Sequence, residues 1–474
     1  MKQYDLIIIG TGSAMNYAGS ILQENPEMKI AIIDKDEPGG ICLTRGCIPS
    51  KMLLYPAELV RTIESANSFG IDSRIDSINF PAIMERMRST ISADIERIRK
   101  SLRETAAFDY YPETASFEAP YTLKVGNESI TAPMIFLGTG SRPLVPAIKG
   151  IEDAGYLTSD SVLKLSALPE SIAIIGAGYI AAEYGHFFSA MGSKVTVIGR
   201  NKHILPQEEP EISVLARNEM SRFMEIFTGY DVTETVLKNG RKTILARGGD
   251  DAPLEVEADE ILLATGRGSN AGILNPEKSN IEVDKRGWIK VDSRLETTCP
   301  GIWACGDANG KYLFKHVGNY ESTVLYRNAL LGQDVEADYH AVPHAVFSRP
   351  EIAGVGMGEE AAITAYGKEN ISIGFQEYGN TGKGIAMGLK GYFVKVILET
   401  RSQHILGCHI IGPEASILIH EIIPLMYTQT QQAYPLLNSM DIHPSLSEVV
   451  KRAFYSRFTV DEYHFILKEM DLSD

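Results

Sequence analysis

The hydrophobic pattern of the chain is built on one repeated device. Residues 5–10 (DLIIIG) and 29–34 (KIAIID) are apolar runs of strand length. The pattern returns at 171–176 (SIAIIG) and 194–200 (KVTVIGR). Unbroken Ile/Val runs this short predict strands buried on both faces, as in parallel sheets. Between the members of each pair lie a glycine turn and a run of small residues, GTGSAMNYAG first and GAGYIAAEYG second. Strand, glycine turn, helix and strand make the βαβ unit of a dinucleotide-binding fold. Gly10 and Asp34 are 24 residues apart, and so are Gly176 and Arg200. Matched spacing makes the two units copies of one design, a stronger signal than either glycine pattern alone.

The remaining pattern completes an α/β reading. Residues 81–105 place apolar side chains at helical spacing with mixed charge opposite. Strand-like runs at 135–137 and 261–264 each lead into a Thr-Gly, Thr139-Gly140 and Thr265-Gly266. After Val342 the texture changes. YFVKVILE and ILGCHIIG predict strands among helical stretches, with no nucleotide fingerprint, so 343–474 reads as a separate α+β domain. The glycine-rich piece 379–391 reads as a surface turn region.

The two turns differ in chemistry. Gly10 and Gly12 let the backbone approach a pyrophosphate, and the following helix N-terminus favours the anion. The third position, usually Gly or Ala, is Met15, which predicts a locally wider packing. Asp34 ends the second strand, where a carboxylate accepts hydrogen bonds from ribose hydroxyls. In the second copy Gly176, Gly178 and Ala181 complete the fingerprint, and Arg200 replaces the acid, with Lys202 and His203 nearby. A guanidinium attracts a ribose 2′-phosphate and can bind it bidentately, so this site is expected to favour NADPH over NADH.

Charge and cysteine content narrow the class. Forty-five basic residues against 61 acidic ones give a net charge of −16, which speaks against a nucleic-acid partner. No run approaches the ~20 apolar residues of a membrane span, so no membrane partner is expected. The N-terminal segment reads as a strand rather than a leader, and a cytoplasmic location is expected. Five cysteines, three of them widely scattered, do not make a secreted disulfide framework. Cys42 and Cys47 are the exception, in GGICLTRGCIPSK. A staple over so short a loop would contribute only ~2 kcal/mol, and zinc would need two further ligands that no second cluster supplies. A redox pair, with one low-pKa thiol exchanging with a disulfide, is the better reading. Cys305 is read as a small buried hydrophobe. In HPSLSE, Pro444 keeps His443 out of helical geometry and can start the next helix, and Glu448 lies within reach of the ring.

GGICLTRGCIPSK, the paired glycine fingerprints, GIWACGDANG and HPSLSE together resemble the class I flavoprotein disulfide reductases, in family order over essentially the whole chain. The resemblance implies an FAD-binding domain at 1–145 that returns at 265–342. It implies an NAD(P)-binding domain at 146–264 and a dimerisation domain at 343–474. Cys42 would be the interchange thiol and Cys47 the thiol stacked on the flavin. Lys51 would sit by the reactive ring, paired with Glu183. Tyr179 would cover the nicotinamide pocket, Asp307 would hold the ribityl chain, and Gly266-Arg267 would help bind the NADP phosphate. His443, with Glu448, would be the active-site base, reaching the active site of the other subunit of a homodimer. The implied activity moves two electrons between NADPH or NADH, FAD, the Cys42–Cys47 disulfide and a small disulfide or dithiol. Details of GTGS, IAAEYGHFFSAMG and KHVGNYES look most like the mycothione reductase branch, with NADPH. The alternatives are the dihydrolipoamide dehydrogenase branch, with NAD+, and a flavin-bearing subunit of a larger redox assembly.

Overall fold

The structure, a computed structural model, describes residues 1–473. Two five-stranded parallel sheets share the arrangement of four strands and differ in one edge strand, which comes last in chain order in the first and first in the second. In the first the order is Ile302–Ala304, Met134–Leu137, Leu6–Ile9, Ile30–Ile33, Phe108–Tyr111. In the second it is Leu157–Thr158, Glu260–Leu263, Ser171–Ile175, Lys194–Gly199, Glu225–Thr228. The strand that feeds the glycine turn is central in each. Ile9 aligns with Ile33 and Leu137, and Ile175 with Ile198 and Leu263. Both turns therefore open at the carboxyl edge of their sheet, where open α/β folds bind ligands. Every residue of Leu6–Ile9 and Ile30–Ile33 is buried, which is why these strands read as unbroken apolar runs.

The chain leaves the first sheet after Met134–Leu137 and rejoins it only at Ile302–Ala304, with the second sheet formed in between. Each parallel sheet is accompanied by antiparallel strands, Ala115–Ala119 to Glu128–Thr131 for the first and Asp231–Lys238 to Pro253–Ala258 for the second. The helix expected at 81–105 is Phe80–Glu104; the Asn79 side chain accepts from the Ala82 amide, and Pro81 stands in the first turn, where its missing N–H costs nothing.

The C-terminal region is a six-stranded antiparallel sheet ordered Pro343–Val346, Ile352–Gly356, Ile405–Ile411, Phe393–Glu399, Ile371–Glu377, Arg457–Thr459. The glycine-rich piece is not simply a surface turn. It holds a short helix, Gly382–Ala386, capped by the fully buried Thr381. A Cβ on Gly382 would lie 3.2 Å from Pro444 and 3.4 Å from the His443 ring, so the piece forms the bed of His443.

A buried ion cluster fastens the second nucleotide unit to this sheet. Lys395, on strand Phe393–Glu399 and 1% exposed, donates to Glu209 and Glu211 at 2.6 Å and to Glu359 at 2.8 Å. Removing the ammonium would strand three buried carboxylates, a change that typically costs about 3 to 5 kcal/mol. Among the described residues no helix is long and apolar enough to cross a membrane.

Candidate active site

The first turn is shaped by close backbone approach. Gly10 has φ of 98°, and a Cβ there would lie 2.2 Å from the Gly138 carbonyl oxygen. A Cβ on Gly40 would lie 2.6 Å from the Gly12 Cα, because the dithiol segment crosses directly over the turn. Met15 fits for a local reason. The chain first makes a tight 3-10 turn, Ser13–Met15, and the regular helix Ala18–Glu24 starts later. Ala14, not Met15, makes the close approach: its Cβ is 2.6 Å from where a Cβ on Gly138 would stand. The Asp34 carboxylate accepts from the Thr11 amide at 2.8 Å and the Thr11 hydroxyl at 2.6 Å, which fixes it beside the turn.

A cavity of about 790 Å³ opens over this turn, lined by Gly10, Gly12, Asp34, Thr139, Gly140 and Asp307, together with both cysteines. The Thr139 hydroxyl is buried with no partner among the described residues. Burial raises the Asp307 carboxyl above its ordinary range, against the Ser141 hydroxyl bonded to it and the charge of Arg267. Bare glycine backbone, an unmet hydroxyl and a buried carboxyl fit the phosphates and polyol of FAD.

Cys42 lies in the short helix Gly40–Arg45, and Cys47 opens the helix Cys47–Ser65. Gly46 lets the chain fold back between them; a Cβ there would be 2.9 Å from the Ile41 carbonyl oxygen. The Cys47 thiol donates to Cys42, and this bond, aided by the charge of Lys315 and the Cys47 and Ile48 amides, lowers Cys42 from 9.0 to about 7 against the effect of burial. The same bond, with burial, pushes Cys47 up. Both thiols feel burial and Cys47 is the more solvent-accessible of the two, so the bond between them is what separates their protonation. Cys305 is 2% exposed, and burial pushes its thiol up, as expected of an inert core residue.

Lys51, one turn into the same helix, reaches both Glu183 oxygens at 2.7 Å. Glu183 also accepts from the Phe347 amide at 3.1 Å, and the Lys51 ammonium lies 4.7 Å from the Phe347 ring centre. Glu183 stands on the helix Tyr179–Met191, which starts immediately after Gly178. Gly176, with φ of 114°, repeats the geometry of Gly10: its Cβ would lie 2.2 Å from the Ala264 carbonyl oxygen. Ala181 is fully buried. Gly140 and Gly266 both take left-handed φ, 66° and 107°, after their threonines. Arg200 is exposed just past strand Lys194–Gly199.

Arg267 stands on the strand Arg267–Ser269, which pairs with Ser141–Pro143; its guanidinium donates to the Ser141 hydroxyl at 2.7 Å and carbonyl at 3.1 Å. It lines the dithiol cavity beside Asp307.

His443 Nδ1 lies 3.0 Å from Glu448 Oε1, and Glu448 also accepts from the Ser445 amide and from Arg452 at 3.2 Å. These bonds, the one from His443 first, hold the Glu448 carboxyl low. Pro444 does not start the helix; the helix is Glu448–Ala453, which puts Glu448 in the first turn. The imidazole is 69% exposed and does not line the cavity of its own chain's thiols.

Sequence reasoning missed Lys315, His344 and Phe347, which line the cavity. Lys315 lies inside the KHVGNYES segment, where a cation beside a redox thiol could have been noticed. His344 and Phe347, at the strand Pro343–Val346, carry no local pattern, because only folding brings that strand to the cavity.

Residues 4–329 match the pyridine nucleotide-disulphide oxidoreductase family, and residues 342–454 match its dimerisation domain. The chain is 36% identical to mycothione reductase of Mycobacterium tuberculosis, over 96% of this chain and 99% of that one. It is 33% identical to dihydrolipoyl dehydrogenase of Chlamydia trachomatis, over 94% and 95%. The structure of the HOCl-induced flavoprotein disulfide reductase RclA of Escherichia coli, in a Cu(II) complex, superposes with a TM-score of 0.84 at 25% identity, covering 96% of this chain and 99% of that one. With a matching dithiol segment, two nucleotide units and a dimerisation domain, the chain belongs to the FAD-dependent pyridine nucleotide-disulphide oxidoreductases.

Proposed function

We propose that this enzyme uses NADPH to reduce a small disulfide of the mycothione class, with Cys42 and Cys47 as the redox pair. The polarised dithiol carries the reading: both thiols line one cavity with the first glycine turn, and the bond between them divides their protonation. The 36% identity to mycothione reductase supports the substrate class. Arg200 supports NADPH, since a guanidinium attracts a 2′-phosphate. In this reading 1–145 and 265–342 hold FAD, 146–264 hold the nicotinamide nucleotide, and 343–474 form the homodimer. The compartment is the cytoplasm, where free thiols persist.

Bound FAD supplies a two-electron relay between the nicotinamide and the dithiol. Asp34, Thr139 and Asp307 would hold its polar parts, and the Lys51–Glu183 pair would serve its redox chemistry. Tyr179 covers the nicotinamide seat until the nucleotide enters. The Cys42 thiolate attacks one sulfur of the substrate disulfide, forming a mixed disulfide and expelling one thiolate. His443 of the partner subunit, oriented by Glu448, protonates that thiolate. Cys47 then loses its proton to the same imidazole and attacks the Cys42 sulfur. The second substrate sulfur leaves and takes that proton, and the Cys42–Cys47 disulfide remains. Two electrons and two protons have passed to the substrate. The shared site is supported by the outward imidazole, which follows directly on the exposed Met440 and Ile442; exposed apolar residues of this kind suit a subunit interface.

The test is turnover of purified holoenzyme with NADPH and mycothiol disulfide, beside dihydrolipoamide with NAD+ or NADP+. The expected result is NADPH-driven disulfide reduction and negligible dihydrolipoamide oxidation, with Cys42→Ser and His443→Ala both inactive. Fast oxidation of dihydrolipoamide with NAD+ would instead establish the second reading, which the Chlamydia relative favours. Normal activity in either variant would refute the mechanism.

A further inference from the structure

A buried serine joins an arginine to a carboxylate, and both charged groups line the cavity over the first glycine turn. Ser141 is 2% exposed. Arg267 Nε donates to its hydroxyl at 2.7 Å, and Nη2 donates to its carbonyl at 3.1 Å. The Ser141 hydroxyl donates in turn to Asp307 Oδ2. Three residues far apart in sequence thus form one chain of hydrogen bonds, made possible by the pairing of Arg267–Ser269 with Ser141–Pro143.

The direction of that chain is fixed by chemistry. A guanidinium has donors only, and a serine hydroxyl has one proton. With Ser141 Oγ accepting from Arg267, its proton is left for Asp307, and Oδ2 must accept it. The other oxygen, Oδ1, accepts from none of the described residues, so it is the one left for a ligand hydroxyl. Burial pushes the Asp307 carboxyl up, and the Ser141 bond and the Arg267 charge oppose this. The backbone beside Asp307 is held from another side, because Glu321 accepts from the Gly306 amide at 2.6 Å. Arg267 therefore governs the Asp307 side chain and not the placing of its turn. A buried carboxylate is costly without such partners, and a bond with a charged member is stronger than a neutral one.

We infer that Arg267 is a positioning residue of the FAD site, which acts through the Ser141 hydroxyl to orient Asp307 and keep Oδ1 as an acceptor for the ribityl chain. It serves the flavin in this way and not the phosphate of NADPH. The inference rests on the reading of Asp307 as the residue that holds the ribityl chain.

The test is the rate at which purified holoenzyme releases FAD into a chaotropic salt, followed by flavin fluorescence, together with KM for NADPH and NADH. The variants are Arg267→Met, Arg267→Lys, Ser141→Ala, the double variant Arg267→Met with Ser141→Ala, and Asp307→Ala. Release should be about tenfold faster in Arg267→Met and in Ser141→Ala, which is ~1.4 kcal/mol. The double variant should be no faster than either, since both changes cut one chain of bonds. Arg267→Lys should recover part of the slow release, because an ammonium still donates to the hydroxyl. The ratio of the two KM values should not move. A raised KM for NADPH alone, with FAD release unchanged in Arg267→Met, would overturn the proposal and place Arg267 at the nucleotide phosphate. Additive losses in the double variant, or a lower melting temperature with unchanged release, would also overturn it. Faster release in Asp307→Ala alone would leave the reading of Asp307 intact and remove the relay. Unchanged release in Asp307→Ala would refute that reading and the relay together. If Arg267→Met fails to fold, Ser141→Ala decides alone, since it removes only a hydroxyl.

Discussion

The two glycine turns solve the same steric problem and then diverge in packing and charge. Gly10 and Gly176 sit on matching perches, where a Cβ would lie only 2.2 Å from a carbonyl oxygen at the end of the neighbouring strand. Past that point the first turn delays its helix, which makes space for Met15. The second starts its helix at once and must bury Ala181 completely. The first ends its unit with Asp34 bonded back to Thr11, and the second ends with an exposed arginine. The backbone requirement is thus common to both turns, whereas the residue at the end of the second strand is where the proposed choice of nucleotide is made.

The largest effects should come from the shared perch. Gly10→Ala and Gly176→Ala each force a Cβ into backbone at positive φ, and each should cost on the order of 3 kcal/mol. The two losses should differ in kind. Gly10→Ala should purify with little flavin, read as the ratio of flavin to protein absorbance. Gly176→Ala should keep its flavin but reduce it poorly with NADPH. Equal flavin loss in both would dissolve the distinction between the sites.

The packing difference gives a second, smaller pair. Ala181→Met inserts bulk into a filled site and should lower the stability by roughly 1 to 3 kcal/mol. Met15→Ala removes a half-buried side chain beside a helix that already starts late, and should cost less than about 1.5 kcal/mol. Urea unfolding of the two variants compares them directly. A larger loss at Met15 would contradict the account of the delayed helix.

The cation at the first turn offers the mildest test. Lys315 donates to Ser13 at 3.0 Å, and its charge helps lower Cys42 to about 7. The thiolate therefore forms as pH rises through about 7 and is lost below it. Iodoacetamide labelling of Cys42 in reduced enzyme should follow that curve. Lys315→Met should move the midpoint upward by a small step, because the Cys47 bond makes the larger contribution. An unmoved midpoint would remove Lys315 from the thiol's electrostatics.

These contrasts also mark how far the sequence could be read. Both βαβ units, the dithiol and the His443–Glu448 pair depend on residues close in sequence, so spacing exposed them. The Lys51–Glu183 pair spans distant elements and was legible only through the family resemblance. The surroundings of Arg267 could not be read, because the pairing of Arg267–Ser269 with Ser141–Pro143 decides where it points, and that pairing has no local signature. The antiparallel meanders went unread for the same reason. The packing of 379–391 beneath His443, and the Lys395 cluster, are products of tertiary approach and leave no pattern along the chain.

The central claim is that Arg200 makes the second turn an NADPH site where the first, with Asp34, is built for FAD. The most direct test is kcat/KM for NADPH and NADH in wild type and in Arg200→Glu. The account predicts that wild type prefers NADPH and that the substitution lowers NADPH use by roughly 10 to 100-fold, the value of one lost charge-assisted bond, with NADH spared. A wild type that prefers NADH, with a ratio unmoved by Arg200→Glu, would contradict it.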